Sequence, residues 1–162
     1  MATKLTKLPL KRRTGSLYKR SNSRKSYQKS IPFAIYDKQS GQYAGCTRFG
    51  EMALNHKRAE IGWTWIGPEF QGTGLNKSVK FELLNYAFDI LDLNRIEIKT
   101  DELNLKSQNA IKSIGAIYEG TFRKHAITWS GRVRNSVYFS IIKEDWPRIK
   151  LHLLTKLNAF QV

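Results

Sequence analysis

The sequence predicts one α/β domain whose mixed sheet is flanked by helices. Three observations carry this: strand-like runs punctuated by glycine and polar turns, two apolar stripes at helical spacing, and alternation of the two along the chain. With 162 residues and 41% apolar content, the chain has about the length of one domain and enough apolar side chains to fill a core. No apolar stretch approaches the roughly 20 residues of a membrane span.

Taken in order, Pro32-Phe33-Ala34-Ile35-Tyr36 and Gln42 to about Ala53 read as strands joined by the polar turn Asp37-Lys38-Gln39-Ser40-Gly41. Arg58 to Ile66 is a third strand, with Glu60, Gly62 and Thr64 on one alternation and Ile61, Trp63 and Trp65 on the other. Gly67-Pro68 stops it. Leu75, Val79, Leu83, Ala87 and Leu91, joined by Tyr86 and Ile90, then form the apolar stripe of a long helix. Arg95 to Thr100 is a short strand, and Asn104 or Ser107 can cap a short helix that runs through Ile114 and ends at Gly115. Two more strands, about Ala116 to Trp129 and Val133 to Lys143, meet at Ser130-Gly131; Val133, Val137, Phe139 and Ile141 mark the second as buried. The closing helix carries the stripe Trp146, Ile149, Leu153, Leu154 and Leu157, with Pro147 in its first turn, where a missing N–H costs little. The predicted order is β-β-β-α-β-α-β-β-α.

Lysine and arginine number 28 against 13 acids, a net charge of +15. Ten of these cations lie in residues 1–30, which contain no acid and five serines, and 15 less 10 leaves +5 for residues 31–162. Such a segment cannot readily offset its ordering entropy, so 1–30 reads as a flexible basic tail ahead of a domain at 31–162. It offers weak, sequence-independent contact with nucleic acid or the ribosome. It has no apolar run of a secretory signal and lacks the Arg-rich amphipathic face of a mitochondrial presequence. The single cysteine, Cys46, excludes an internal disulfide framework and a Cys-rich zinc module, and fits a reducing cytoplasm. Cys46 is expected to be a small buried side chain. His56, His125 and His152 are scattered, so no metal site is expected.

The most informative stretch is Gln71-Gly72-Thr73-Gly74-Leu75-Asn76, which opens the long helix. A glycine-rich turn at a helix start presents unpaired N–H groups and the positive end of the macrodipole, an arrangement suited to a diphosphate. Lys77 and Lys80 occupy the first two turns with no acid before Glu82, although an unliganded helix favours acids there by about 0.3–1 kcal/mol each. The plain alternative is a solvated basic face. A P-loop is excluded because Thr73-Gly74 stands where Lys-Ser/Thr is required, and Gly72-x-Gly74 lacks the third glycine of a dinucleotide fold.

A strand, Q/R-x-x-G-x-G/A, a long helix, a strand, then N-x-x-S/A leading to a helix and a glycine resembles the GNAT family of acetyl-CoA-dependent N-acetyltransferases. Here the first signature is Gln71 to Asn76 and the second is Asn104-Leu105-Lys106-Ser107 with Gly115-Ala116 beyond it. Ile61-Gly62-Trp63-Thr64-Trp65, Lys99-Thr100-Asp101, Glu119-Gly120 and Glu144-Asp145-Trp146-Pro147 resemble the Rim-type branch, named for ribosomal proteins. The likeness runs from about Pro32 to Lys150.

The resemblance implies a mixed, mostly antiparallel GNAT-like sheet, acetyl-CoA as cosubstrate, no metal, and a primary amine as acceptor, either a protein N-terminus or a small amine. It implies that the backbone N–H groups of Gln71, Gly72, Thr73, Gly74, Leu75 and Asn76 hold the coenzyme diphosphate. Trp65 and Ile66 lie in the strand edge that pairs with the pantetheine arm, and Asn104 orients that arm. Thr64 N–H is the candidate for the thioester carbonyl. Glu60 is the candidate general base, with a salt bridge to a lysine or arginine as its other reading. Ile111 stands where many members have an acidic tyrosine, which leaves Ser107 as the candidate acid or merely a helix cap. Asn76 replaces the usual final glycine or alanine.

The family begins with a strand and one or two helices that wall the acceptor groove. Residues 1–30 do not resemble them, so that element is expected to be missing, replaced by the tail, or lost to an altered frame. The competing reading is a basic RNA- or ribosome-associated binding protein on a catalytically impaired GNAT scaffold.

Overall fold

The computed structural model describes residues 3–7 and 30–158. Its strands are β1 Thr3–Lys7, β2 Ile31–Asp37, β3 Gln42–Ala53, β4 Arg58–Ile66, β5 Arg95–Asp101, β6 Ile117–Ile127 and β7 Val133–Ile142. The helices are α1 Leu75–Asn85, α2 Leu105–Ser113 and α3 Trp146–Asn158. The strands form one sheet in the order β1-β2-β3-β4-β5-β7-β6, antiparallel throughout except for the parallel pair β4 and β5. That parallel pair is joined through α1, the crossover that parallel neighbours require. The mixed, mostly antiparallel architecture is the one expected.

β1 corrects one expectation. It lies within the segment read as a tail and pairs antiparallel with β2, Leu5 opposite Ile35, so a strand occupies the position expected to be missing. A five-residue edge strand needs only backbone bonds to a free neighbour, which a basic composition does not prevent. Residues 8–29, with the rest of the expected tail and its polyanion contact, lie outside the described residues.

One continuous core fills the space between the sheet and the helices. Phe33, Ile35, Phe49 and Ile61 from β2 to β4 meet Leu75, Val79, Leu83 and Leu84 of α1, and Ile96, Phe139 and Ile141 continue the core toward Ile149 and Leu153 of α3. Trp146 joins the helices, with its ring 6.0 Å from Phe81 and 5.7 Å from Phe88. Full burial of such side chains contributes about 1.5–3 kcal/mol each.

Three local irregularities override the simple periods. At Tyr86–Ile90 the long helix widens to a π turn, with Leu91 N–H donating to Tyr86 O at 2.9 Å. The extra residue rotates Ile90 out of the stripe, where it is exposed. Leu154, within α3, and Val133, at the start of β7, are likewise more open than expected. Between β2 and β3 the register slips by one residue at Ile35/Tyr36, and this bulge on β3 turns Ala44 and Thr47 inward and Cys46 outward. Cys46 is therefore exposed, not buried.

The third irregularity is in β4. Gly62 lies opposite Arg48 and Trp65 opposite Cys46, three residues against two, and Trp63 at the bulge has φ 50°. The bulge places Thr64 on the helix-facing side with Ile61 and leaves Trp63 and Trp65 exposed on the other. Strict alternation had put those three large side chains together. A Cβ on Gly45 would fall on Trp65 O across this pair of strands. Gly45→Ala is therefore expected to lower the unfolding free energy by about 1–3 kcal/mol in urea titration.

Candidate active site

β4 and β5 are hydrogen-bonded neighbours over only three pairs, Arg58–Arg95, Ala59–Ile96 and Glu60–Glu97. Beyond Glu60 the strands diverge, and the edge of β4 from Ile61 to Ile66 has no ladder on that side. The orientation of its backbone follows from the pairing with β3. Gly67 N–H donates to Ala44 O at 2.9 Å and Trp65 lies opposite Cys46, so alternation aims the backbone groups of Thr64 and Ile66 at the open edge. Ile66 O accepts there from Gln71 Nε2 at 3.0 Å.

The split opens into a cavity of about 480 Å³. Thr64 and Ile66 line it from β4, Gly72, Gly74 and Asn76 from the start of α1, and Asn104, Ser107 and Ser113 from α2 and its approach. Gly72 and Gly74 have φ 81° and 84°, left-handed values that glycine tolerates best, and they turn the chain so that α1 begins at the cavity. No acid lies in the first turn of α1. Asn76 Oδ1 is buried without a hydrogen-bond partner among the described residues. The cavity thus combines an unpaired strand edge, a helix N-terminus and an unsatisfied polar atom, which fits a long ligand with amide groups at one end and a diphosphate at the other.

Gln71 closes one end. While its amide nitrogen donates to Ile66 O, its Oε1 accepts from Lys106 Nζ at 2.8 Å, linking the loop to α2. On α2, Asn104 is the cap: its Oδ1 accepts from Ser107 N–H at 2.9 Å. Ser107 is therefore not the cap, and its hydroxyl lies on the cavity wall. Ile111 is packed in the core.

Glu60 is the last paired residue before the strands part, 4% exposed, with its Oε2 2.7 Å from Lys99 Nζ. Its carboxylate lies over Gly62, whose missing Cβ leaves the room. Burial raises the Glu60 pKa above the ordinary carboxylate value and outweighs the opposing bond to Lys99. For Lys99, burial acts downward most strongly, but the bond to Glu60 together with the charges of Glu60, Tyr138 and Glu51 leaves its pKa raised. The ion pair with Lys99 is the salt bridge that one sequence reading of Glu60 expected.

Of the residues singled out from the sequence, Thr64, Ile66, Gln71, Gly72, Gly74, Asn76, Asn104 and Ser107 line one cavity. Glu60, Trp65 and the side chains of Thr73 and Leu75 do not. Thr73 Oγ1 donates to Phe70 O at 2.8 Å and accepts from Leu75 N–H at 3.4 Å, while the Leu75 side chain is in the core. Lys80, read as flanking the diphosphate loop, points beneath the sheet: it is buried, and its Nζ donates to Thr64 Oγ1 at 2.8 Å. Lys99 and Lys106 were missed, since lysines on a strand and a short helix carry no pattern that marks them. Asn104→Ala, by removing the α2 cap, is expected to cost about 1 kcal/mol, read as a fall in thermal midpoint.

Residues 7–117 match the family described as the acetyltransferase (GNAT) domain. Over 112 residues the chain is 33% identical to the Bacillus subtilis (strain 168) protein named "Putative ribosomal N-acetyltransferase YdaF", covering 69% of this chain and 58% of that one. It is 28% identical over 106 residues to spermidine N(1)-acetyltransferase of Escherichia coli (strain K12), covering 65% and 56%. A GCN5-related N-acetyltransferase from Brucella melitensis superposes with a TM-score of 0.76 at 29% identity, over 78% of this chain and 57% of that one. The chain spans little more than half the length of these relatives.

Proposed function

The chain belongs to the GNAT acetyltransferase family, and from that premise we propose that it transfers an acetyl group from acetyl-CoA to a primary amine by direct attack, without a covalent enzyme intermediate. The observation that carries this reading is the unpaired β4 edge, which runs from the buried carboxylate of Glu60 to the glycine loop at the start of α1. Acetyl-CoA supplies an acetyl group already activated as a thioester.

The backbone of Thr64 and Ile66 pairs with the pantetheine amides as a neighbouring strand would. N–H groups of Gly72, Thr73, Gly74 and Asn76 receive the diphosphate, where the dipole of α1 favours negative charge; those of Gln71 and Leu75 are taken by Pro68 O and Thr73 Oγ1. Thr64 N–H donates to the thioester carbonyl and stabilises the charge that develops on its oxygen. Glu60, directly or through water, takes the proton that the amine must lose. Ser107, a residue of the cavity lining, protonates the departing thiolate, and Asn104 holds the arm beside it.

The acceptor that we propose is a protein N-terminal amine, in the manner of the Rim-type branch, with the chain working in a reducing cytoplasm. The name of the Bacillus subtilis relative supports a ribosomal acceptor. A polyamine acceptor, suggested by the name of the Escherichia coli relative, calls for spare carboxylates. Three of those near the split are engaged: Glu60 by Lys99, Asp101 by Arg132, and Glu97 by Arg58 and Arg95.

Acetyl-CoA at about 100 times its Kd is expected to stabilise the fold by about 2.7 kcal/mol, seen as a rise in Tm. No rise at millimolar acetyl-CoA overturns the coenzyme assignment. A base with a raised pKa is inactive when protonated, so kcat/KM is expected to climb with pH through a value above the usual carboxylate range. Glu60→Gln is expected to abolish that limb and lower kcat at least severalfold with coenzyme affinity nearly unchanged; an unaltered pH profile refutes the role. Lys99→Met, by removing the opposing ammonium, is expected to move the limb to higher pH.

A further inference from the structure

A lysine side chain buried beneath the β4 bulge has no carboxylate partner among the described residues. Lys80 is 6% exposed, and its ammonium donates to Thr64 Oγ1 at 2.8 Å. Thr64 Oγ1 lies 2.9 Å from Thr47 Oγ1, and Thr47 Oγ1 donates to Gly62 O at 3.3 Å. A polar string therefore runs from α1 through β4 to β3 and back to the residue before the bulge. The hydrogen-bonded groups next to the Lys80 ammonium are uncharged: Thr64 from β4 and, through it, Thr47 from β3. Glu60 and Lys99 belong to the other face of the sheet.

Such a lysine is costly for the fold. Taking an ammonium out of water with one hydroxyl as partner penalises the charged form, and burial lowers the Lys80 pKa to about 8. A methionine has a similar shape and no charge to desolvate. The cost is located directly under Thr64, the residue whose N–H faces the open edge.

Building on the acetyl-transfer reading, we propose that Lys80 is a positioning residue of the reaction: its ammonium pins the Thr64 hydroxyl from below, fixes the Thr64 N–H at the carbonyl site, and lays a buried positive charge beneath the oxygen that becomes negative. The charge acts through Thr64 and touches neither substrate. Low polarizability around it makes the field stronger than the same charge in water.

The test compares Lys80→Met with the wild type on an acetylatable peptide amine, after the wild type has shown an acetyl-CoA thermal shift and turnover. Absence of either in the wild type refutes acetyl transfer itself; the Lys80 comparison is made on an active enzyme. The expected result is a kcat at least tenfold lower, acetyl-CoA affinity within about twofold, and a Tm equal to or above that of the wild type. The wild-type kcat is also expected to decline above about pH 8, a limb that Lys80→Met lacks. A purely structural lysine gives the opposite pattern, with Tm, affinity and kcat falling together. That pattern, or a variant with wild-type kcat, overturns the proposal.

If Lys80→Met does not fold, Thr64→Val decides. It retains the N–H and removes the hydroxyl that favours the ammonium. The alkaline limb is then expected to shift to lower pH, and an unmoved limb overturns the proposal.

Discussion

An interior strand with one unpaired edge is the constraint on which the rest of this structure depends. Backbone N–H and C=O groups away from water demand partners, and a strand in the middle of a seven-stranded sheet normally finds them on both sides. β4 does so through Glu60 and then parts from β5. The bulge at Trp63 adds local twist where the open edge begins, and the turn at Gly72 and Gly74 brings a helix N-terminus to its far end. Thr64 and Ile66 of the strand and Gly72, Gly74 and Asn76 at the helix start line one cavity. Gln71 reaches into it through its bond to Ile66 O.

The open edge is flanked by two buried charged groups on opposite faces of β4. Glu60, on the face away from the helices, is compensated by Lys99 across the split. Lys80, on the helix side, has the Thr64 and Thr47 hydroxyls. Both are held at a cost in desolvation that the apolar core around Phe49, Ile61, Leu83 and Phe139 must offset. The two groups are shifted in opposite senses, the carboxyl upward and the amine downward, and both shifts bring the groups nearer to neutral pH. Such pairs of perturbed groups in one small region are characteristic of functional sites.

The polar face of the sheet carries a ladder of ion pairs. Arg95 binds both Glu97 and Glu119, Glu119 also accepts from Ser140 at 2.7 Å, and Asp101 is bonded to Arg132. Each exposed pair contributes little to stability, about 0–1 kcal/mol. Their consequence is chemical: the carboxylates of Glu97, Glu119 and Asp101 are committed to arginines.

The sequence by itself determined the order of elements from β2 onward and the loop at the start of α1. Hydrophobic periods of two and near four, with Gly, Pro and Asn at their ends, are local properties, and the bounds of β4, α2 and α3 follow from them closely. The tertiary structure decided which way side chains point wherever one residue is inserted. The bulge in β4 moved Thr64 onto the face of Ile61, the bulge in β3 exposed Cys46, and the π turn turned Ile90 outward, because a single extra residue inverts a strand's faces or rotates a helix's stripe. Glu60 was legible as a carboxylate on a strand before a glycine loop, whereas its partner Lys99 became visible only when a parallel strand was laid beside it. Lys80 is the sharpest case: four residues after Asn76, it has the sequence environment of a solvated basic face, and only packing of α1 under the bulged strand sends its ammonium to Thr64. Local pattern reports which residues share a face, but the partner across the chain is set by the topology that brings distant strands and helices together.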